Sequence, residues 1–301
     1  MGFSLQVIII KTQTRLMKWY KKYLSVFEKP FSEAPSYVID EVREKLRSLQ
    51  SDNPVASVVV IAYNEEKRLL SCLWSLSDTK CKYPIEILGV DNSSADRTAD
   101  VYKATMLPYY NEEKKSCGYA RNRGLQEAKG KYYICIDADT MYPEKYIETL
   151  IEALMKPGIV AVSSLWSYVP SKEYPRFWMF FYELLRDINL FLLSFKSPER
   201  SVRGLVFAYE AEYGRKVGYR VQIIRGEDGA MAYGLKQYGK IAFVRSRKAR
   251  AATCTATVAA DGSLRKAFTN RVKGAFKGIR KYFVKTTGEV KDQPSNLVNK
   301  Q

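Results

Sequence analysis

The chain has 301 residues, of which 46% are apolar and 27% charged, enough to bury one large core. It contains no histidine, which excludes His-based triads, imidazole zinc sites and a histidine general base. The formal charge of +17 sits at the ends: residues 1–30 hold six Lys/Arg against one Glu, and residues 245–285 hold twelve against one Asp, so the middle is nearly neutral.

Residues 1–50 read as an amphipathic helical appendage that ends in a polar stretch before Pro54. Ser57–Ala62 is a continuous, β-branched apolar run, the pattern of a strand buried on both faces. Asn64-Glu65-Glu66 then opens a helical pattern carrying Leu69, Leu70, Leu73 and Leu76. Ile85–Val90 reads as a second strand ending at Asp91, with a helix from about Ala95. Gly118–Lys129 reads as a helix ended by Gly130, and Tyr132–Ile136 as a third strand ending at Asp137. Pro143–Lys156 is a further helix and Ile159–Ser163 a further strand. After residue 165 the alternation stops. Residues 174–195 form an aromatic-rich helical stretch, and glycines at 204, 214, 218, 226 and 229 mark a loop-rich region. Phe177–Phe195 is the nearest approach to a membrane span, but Glu183, Arg186 and Asp187 interrupt it.

Strands alternating with helices predict an α/β fold with a mostly parallel sheet. The expected organisation is an N-terminal appendage over 1–50, a catalytic domain over 51–245, and a basic amphipathic helix and tail over 246–301. Ligands of such sheets bind outside the carboxyl ends of the strands. Polar residues stand at three of those ends: Tyr63-Asn64-Glu65, Asp91-Asn92-Ser93 and Asp137-Ala138-Asp139.

Asp137 and Asp139, spaced by one residue just past a strand, can present oxygens to Mn2+ or Mg2+; the plainer alternative is a solvated acidic turn. Asp91 suits either a ribose or base contact or a turn-capping role. Arg121 can bridge phosphates or fix nearby acids, or it is an ordinary surface helix arginine. Asp228, beside Glu227 and flanked by Gly226 and Gly229, can act as a general base or cap a helix from Ala230. Residues 264–285 place Leu264, Phe268, Val272, Phe276, Ile279 and Phe283 on one helical stripe among eight Lys/Arg, a pattern suited to an anionic bilayer surface or to docking on the catalytic domain. Five scattered cysteines without zinc-like spacing, and no visible secretory signal, fit a reduced cytoplasmic setting.

Five motifs occur in order: Ala62-Tyr-Asn-Glu-Glu66, Asp91-Asn-Ser-Ser-Ala-Asp-Arg-Thr98, Ala120-Arg-Asn-Arg-Gly124, Asp137-Ala-Asp139 and Glu227-Asp228. In this order the chain resembles family 2 glycosyltransferases of the GT-A fold over roughly residues 55–245. The resemblance implies that Ala62, Tyr63, Glu65 and Asp91 contact the base and ribose of a UDP- or GDP-linked sugar, with Arg121 near the nucleotide. It implies Asp137 near the ribose or sugar, Asp139 on the metal, Glu227 beside the donor, and Asp228 as base in an inverting displacement.

Asn92, Ser94, Ala95 and Arg97 depart from the family's usual Asp-Gly-Ser-Thr-Asp-Gly-Thr. The Gln-x-x-Arg-Trp element of processive members is replaced by Gln237-Tyr-Gly-Lys-Ile241, which implies addition of a single sugar. The basic ends suggest a peripheral location on the inner face of a membrane and an acceptor saccharide that is lipid-linked, in cell-envelope or exopolysaccharide assembly. A nucleotidyltransferase of similar architecture would carry a glycine-rich basic loop after the first strand, where this chain is acidic. A nucleic-acid-binding protein would carry a recognisable binding motif, and none is present, so no nucleic-acid partner is expected.

Overall fold

The computed structural model describes residues 19–171, 174–223 and 226–255. The expected basic helix at 264–285 lies outside the described residues.

Seven strands form the main sheet, in the order β3-β2-β1-β4-β8-β6-β9. These are β1 (Ala56–Ala62), β2 (Ile85–Asp91), β3 (Tyr109–Asn111), β4 (Tyr132–Asp137), β6 (Ile159–Ser164), β8 (Phe207–Glu210) and β9 (Lys240–Val244). β8 alone pairs antiparallel, wedged between β4 and β6. A second, three-stranded sheet joins β5 (Thr140–Met141), β10 (Ala251–Thr253) and β7 (Trp166–Tyr168).

The unbroken apolar run of β1 follows from burial on both faces. Val58 and Val60 face a core shared with α1 (Ser36–Leu49), α2 (Leu69–Ser77) and α5 (Tyr146–Leu154). Val59 and Ile61 face a second core that includes Ala120 and Leu125 of α4 (Cys117–Glu127) and Met231 and Ala232 of α8 (Glu227–Leu235). Register fixes the strand ends: Ala62 lies opposite Asp91, and Ile61 opposite Asp137. The remaining helices are α3 (Thr98–Ala104), α6 (Arg176–Lys196) and α7 (Ala211–Val217).

The structure departs from expectation in three places. The region read as loop-rich after residue 204 contains β8 and α7. The helix expected from Ala230 begins at Glu227, which puts Asp228 in its first turn. The boundaries expected at 50 and 245 are not breaks in packing. Tyr20, Tyr23, Val38, Val42 and Leu46 belong to the same buried cluster as Val58 and Leu73. β10, beyond residue 245, pairs with β5 and β7.

Candidate active site

The loops after β1 and β2 are stitched to each other. Asn64 and Ser93 both take left-handed φ of 54°, a conformation that short polar residues tolerate. The Asn64 amide donates to Ser94 Oγ at 2.9 Å, and the Ala95 amide returns a bond to Asn64 Oδ1 at 2.8 Å. The Glu65 amide donates to Thr98 Oγ1 at 2.8 Å and the Glu66 amide to Asp96 Oδ2 at 3.1 Å. The residues that depart from the family pattern therefore build the loop: Ser94 caps Asn64, and Asn92 Nδ2 holds the carbonyls of Glu112 and Lys114.

Above these loops lies an open cleft of about 560 Å3. It is lined by Ile61, Ala62, Tyr63, Glu65 and Asn92, from the ends of β1 and β2 and the loops that follow, and by Asp137, Ala138 and Asp139 at the end of β4. Lys115, Ser116 and Cys117, at the start of α4, close one side. Ser116 caps that helix by accepting from the Tyr119 amide at 3.2 Å. Tyr63 is half exposed, with Lys115 Nζ 5.6 Å from its ring centre.

Not every expected residue lines the cleft. Asp91 is buried beneath it, and its Oδ1 accepts from both the amide and the hydroxyl of Ser94. Arg121 is 0% exposed, which removes the surface-arginine alternative. Its Nη2 donates to Asp137 Oδ1 at 2.5 Å, and its Nε lies 3.4 Å from Asp228 Oδ1. One buried guanidinium thus joins the end of β4 to the start of α8. Glu227 is buried beside them. Gly204, in the turn Gly204–Val206, allows this packing: a Cβ there would stand 2.3 Å from both Arg121 Nη2 and Asp228 Oδ2. Arg121 Nε and Nη1 and Asp228 Oδ1 have no hydrogen bond among the described residues.

Burial dominates the titration of these acids. It pushes Asp228 up to about 7, with Glu227 and Asp137 adding to the rise and Arg121 opposing it. Asp137 is raised by the same burial, again opposed by Arg121 and reinforced by Asp139. Glu65 is pushed up to about 7 by burial and the Asp139 charge, although Arg68 Nη1 donates to its Oε2 at 2.8 Å.

Asp139 is held from a direction the motif does not reveal. Its Oδ1 accepts from Thr140 Oγ1 at 2.8 Å and Thr253 Oγ1 at 3.4 Å. Its Oδ2 accepts from Cys254 Sγ at 3.0 Å, and its carbonyl from the Cys254 amide at 3.3 Å. Thr253 and Cys254 lie past the boundary expected at 245. No spacing marks them as site residues, because their contact depends on β10 pairing with β5.

Comparison with known proteins agrees with this architecture. The model of "Glycosyl transferase family 2" matches residues 57–208. Glycosyltransferase GlyA of Streptococcus pneumoniae is 25% identical over 192 residues, 59% of this chain and 27% of that protein. The chain therefore spans about a quarter of that relative's length. Mannosyltransferase PcManGT from Pyrobaculum calidifontis, solved in complex with GDP-Man and Mn2+, superposes with a TM-score of 0.51 at 16% identity, covering 83% of this chain and 84% of its own. Glucosyl-3-phosphoglycerate synthase from Mycobacterium tuberculosis, solved with Mn2+, UDP-glucose and phosphoglyceric acid, gives a TM-score of 0.52 at 18% identity, with 81% and 85% covered. At such identities the two solved structures speak for the fold. The family match spans half of the chain, from the first strand of the sheet through the Asp137-Ala-Asp139 turn into β8, and on that ground the chain belongs to glycosyl transferase family 2.

Proposed function

We propose that the protein is an inverting, metal-dependent glycosyltransferase that moves one sugar from a UDP- or GDP-linked donor to an acceptor hydroxyl, in assembly of cell-envelope or exopolysaccharide glycans. The observation that carries this reading is the Arg121 bridge, which joins Asp137, in the lining of the cleft, to Asp228.

The donor set suits a hard divalent cation. Glu65, Asp137 and Asp139 crowd negative charge at the cleft, and that crowding helps to raise Glu65. Among the described residues no group of three or more His, Cys, Asp or Glu side chains is arranged to hold a metal. The fit is therefore to an ion bound through Asp139 that completes its shell with water and diphosphate oxygens. Mn2+ or Mg2+ there would offset the charge that grows on the leaving diphosphate.

The chain's own residues do the rest. Tyr63 and Glu65 bound the space for base and ribose, and Asp91 supports that wall from beneath through Ser94. The start of α4 turns its amide end towards the diphosphate. Asp137, fixed by Arg121, orients the ribose or sugar. Asp228 accepts the acceptor's hydroxyl proton, and a carboxylate raised towards 7 is well matched to that task near neutrality. The basic segment 264–285 would hold the enzyme on the inner face of an anionic membrane, near a lipid-linked acceptor.

The test is nucleotide release from a panel of sugar nucleotides with either metal. Asp139→Ala should abolish the metal-dependent release seen with wild type. Asp228→Asn should bind the donor as wild type does in calorimetry, yet lose about 10²–10⁴-fold in transfer. A wild-type protein that neither binds nor turns over any sugar nucleotide would sink the reading.

A further inference from the structure

Helix α6 buries Met179, Tyr182 and Leu190 in the core and carries a second apolar stripe on its outer side. Its exposed face is Phe177, Phe181, Leu184, Ile188, Leu192 and Phe195, each 39% to 68% exposed and spaced by three or four residues. At 1.5 Å per residue the stripe is about 27 Å long. The three mid-helix charges, Glu183, Arg186 and Asp187, point the other way. Glu183 is buried and accepts from Ser167 Oγ at 3.0 Å and the Tyr168 amide at 2.7 Å. The Arg186 guanidinium lies over the Trp166 ring at 4.2 Å and pairs with Asp187 at 2.7 Å. Arg250 closes the network on Asp187 at 2.6 Å. The charges that interrupt the apolar run in the sequence are therefore spent on the protein side, and the outward face is apolar throughout its length.

We propose that this face of α6 lies flat in the headgroup–acyl boundary of an anionic phospholipid bilayer. Charge complementarity selects this occupant. Arg245 is exposed beside the stripe with its guanidinium 4.3 Å from the Phe191 ring. The exposed helix end carries Lys196, while both acids of α6 are turned inward. Apolar side chains flanked by cations are the pattern of an interfacial helix. Spanning is excluded for this element: among the described residues no helix is long and apolar enough to cross a membrane. The contact is separate from the segment 264–285 and does not rest on the transferase reading. Under that reading it has a further meaning. α6 leads through Pro198–Ser201 to Gly204, which abuts Asp228, so the bilayer would lie on the acceptor side of the base.

The experiment uses the full chain and vesicles of phosphatidylcholine with phosphatidylglycerol. Wild type should co-sediment with them. The triple variant Leu184→Gln, Ile188→Gln, Leu192→Gln should bind on the order of ten-fold or more weakly, with its thermal midpoint unchanged because all three side chains are exposed. Vesicles should also slow amide exchange over 176–196 in wild type, a reading that decides the matter even if the variant misfolds. Equal vesicle binding by variant and wild type, or unchanged exchange, overturns the proposal. Two other outcomes overturn it by naming a different occupant. Lipid-free wild type that self-associates while the variant does not would assign the face to a second copy. Protease sensitivity gained over 256–301 in the lipid-free variant would assign it to the chain's own tail.

Discussion

Arg121 carries two carboxylates on one guanidinium, and neither is placed independently of it. Removing one partner of a buried ion network strands the others, at a cost of about 3–5 kcal/mol. Arg121→Ala should therefore lower stability by that order in denaturant unfolding. It should also move the pH–rate profile to higher pH, since the guanidinium opposes the rise of both acids. Under the proposed role of Asp228 as base, the ionised form is the working one, so kcat/KM should climb with pH through about 7 and level off above it. The sign for stability is opposite. The folded state holds its proton on Asp228 to higher pH than the unfolded chain does, so this group's contribution declines as pH rises from about 4 to about 7. Asp228→Asn should flatten that slope in pH-dependent unfolding. The five motifs made the acids legible, because each stands at the end of a readable strand or helix. Arg121's burial was not legible, since a helix arginine carries no mark of what packs over it, and the Asp91 contact with Ser94 depends on a turn no motif specifies.

Elements with a clear apolar run or period were readable: β1, β2, β4, β6, α4 and α5 fall within a few residues of expectation, while α2 begins at Leu69, five residues after the expected opening at Asn64. The short strands were not. β5, β7 and β10 have two or three residues each, too few to show alternation. β8 has four residues and runs against its neighbours, and glycines at 204 and 214 made its surroundings look like loop. Gly214 is in fact a packing glycine, with the Tyr209 ring 2.3 Å from where its Cβ would be. The cost of missing β10 was missing the support of Asp139. Residues that orient a metal ligand commonly change affinity by 10–100-fold when lost. The pair Thr253→Val, Cys254→Ala should accordingly weaken Mn2+ binding by about ten-fold in a direct titration while the protein stays folded. Unchanged affinity would show that Thr140 alone suffices to orient the carboxylate.

At the scale of the molecule, residues 19–49 share a core with the sheet. Tyr23 donates to Asp78 Oδ2 at 2.8 Å, and Lys22 and Lys45 pair with the same carboxylate at the end of α2. A segment so tied should melt with the sheet as one transition. Leu46→Ala, at a fully buried position, should lower the stability of that single transition by about 2–5 kcal/mol in calorimetry. An early, separate melting event would show that the segment folds independently. Chain order could not reveal this, because an amphipathic pattern says that a helix has a buried face and leaves open which surface covers it.

Two acids, Glu65 in the lining of the cleft and Asp228 on the Arg121 bridge, are raised to about 7, in a chain that contains no imidazole. Ordinary proteins bury such signals under histidine buffering; this one presents them on a quiet background. A cation arriving beside Asp139 would favour ionised Glu65, so loading the site at a pH somewhat below 7 should release protons to the buffer. Calorimetric titrations in buffers of differing ionisation heat would count those protons directly, giving a proton inventory of the site before any acceptor sugar is known.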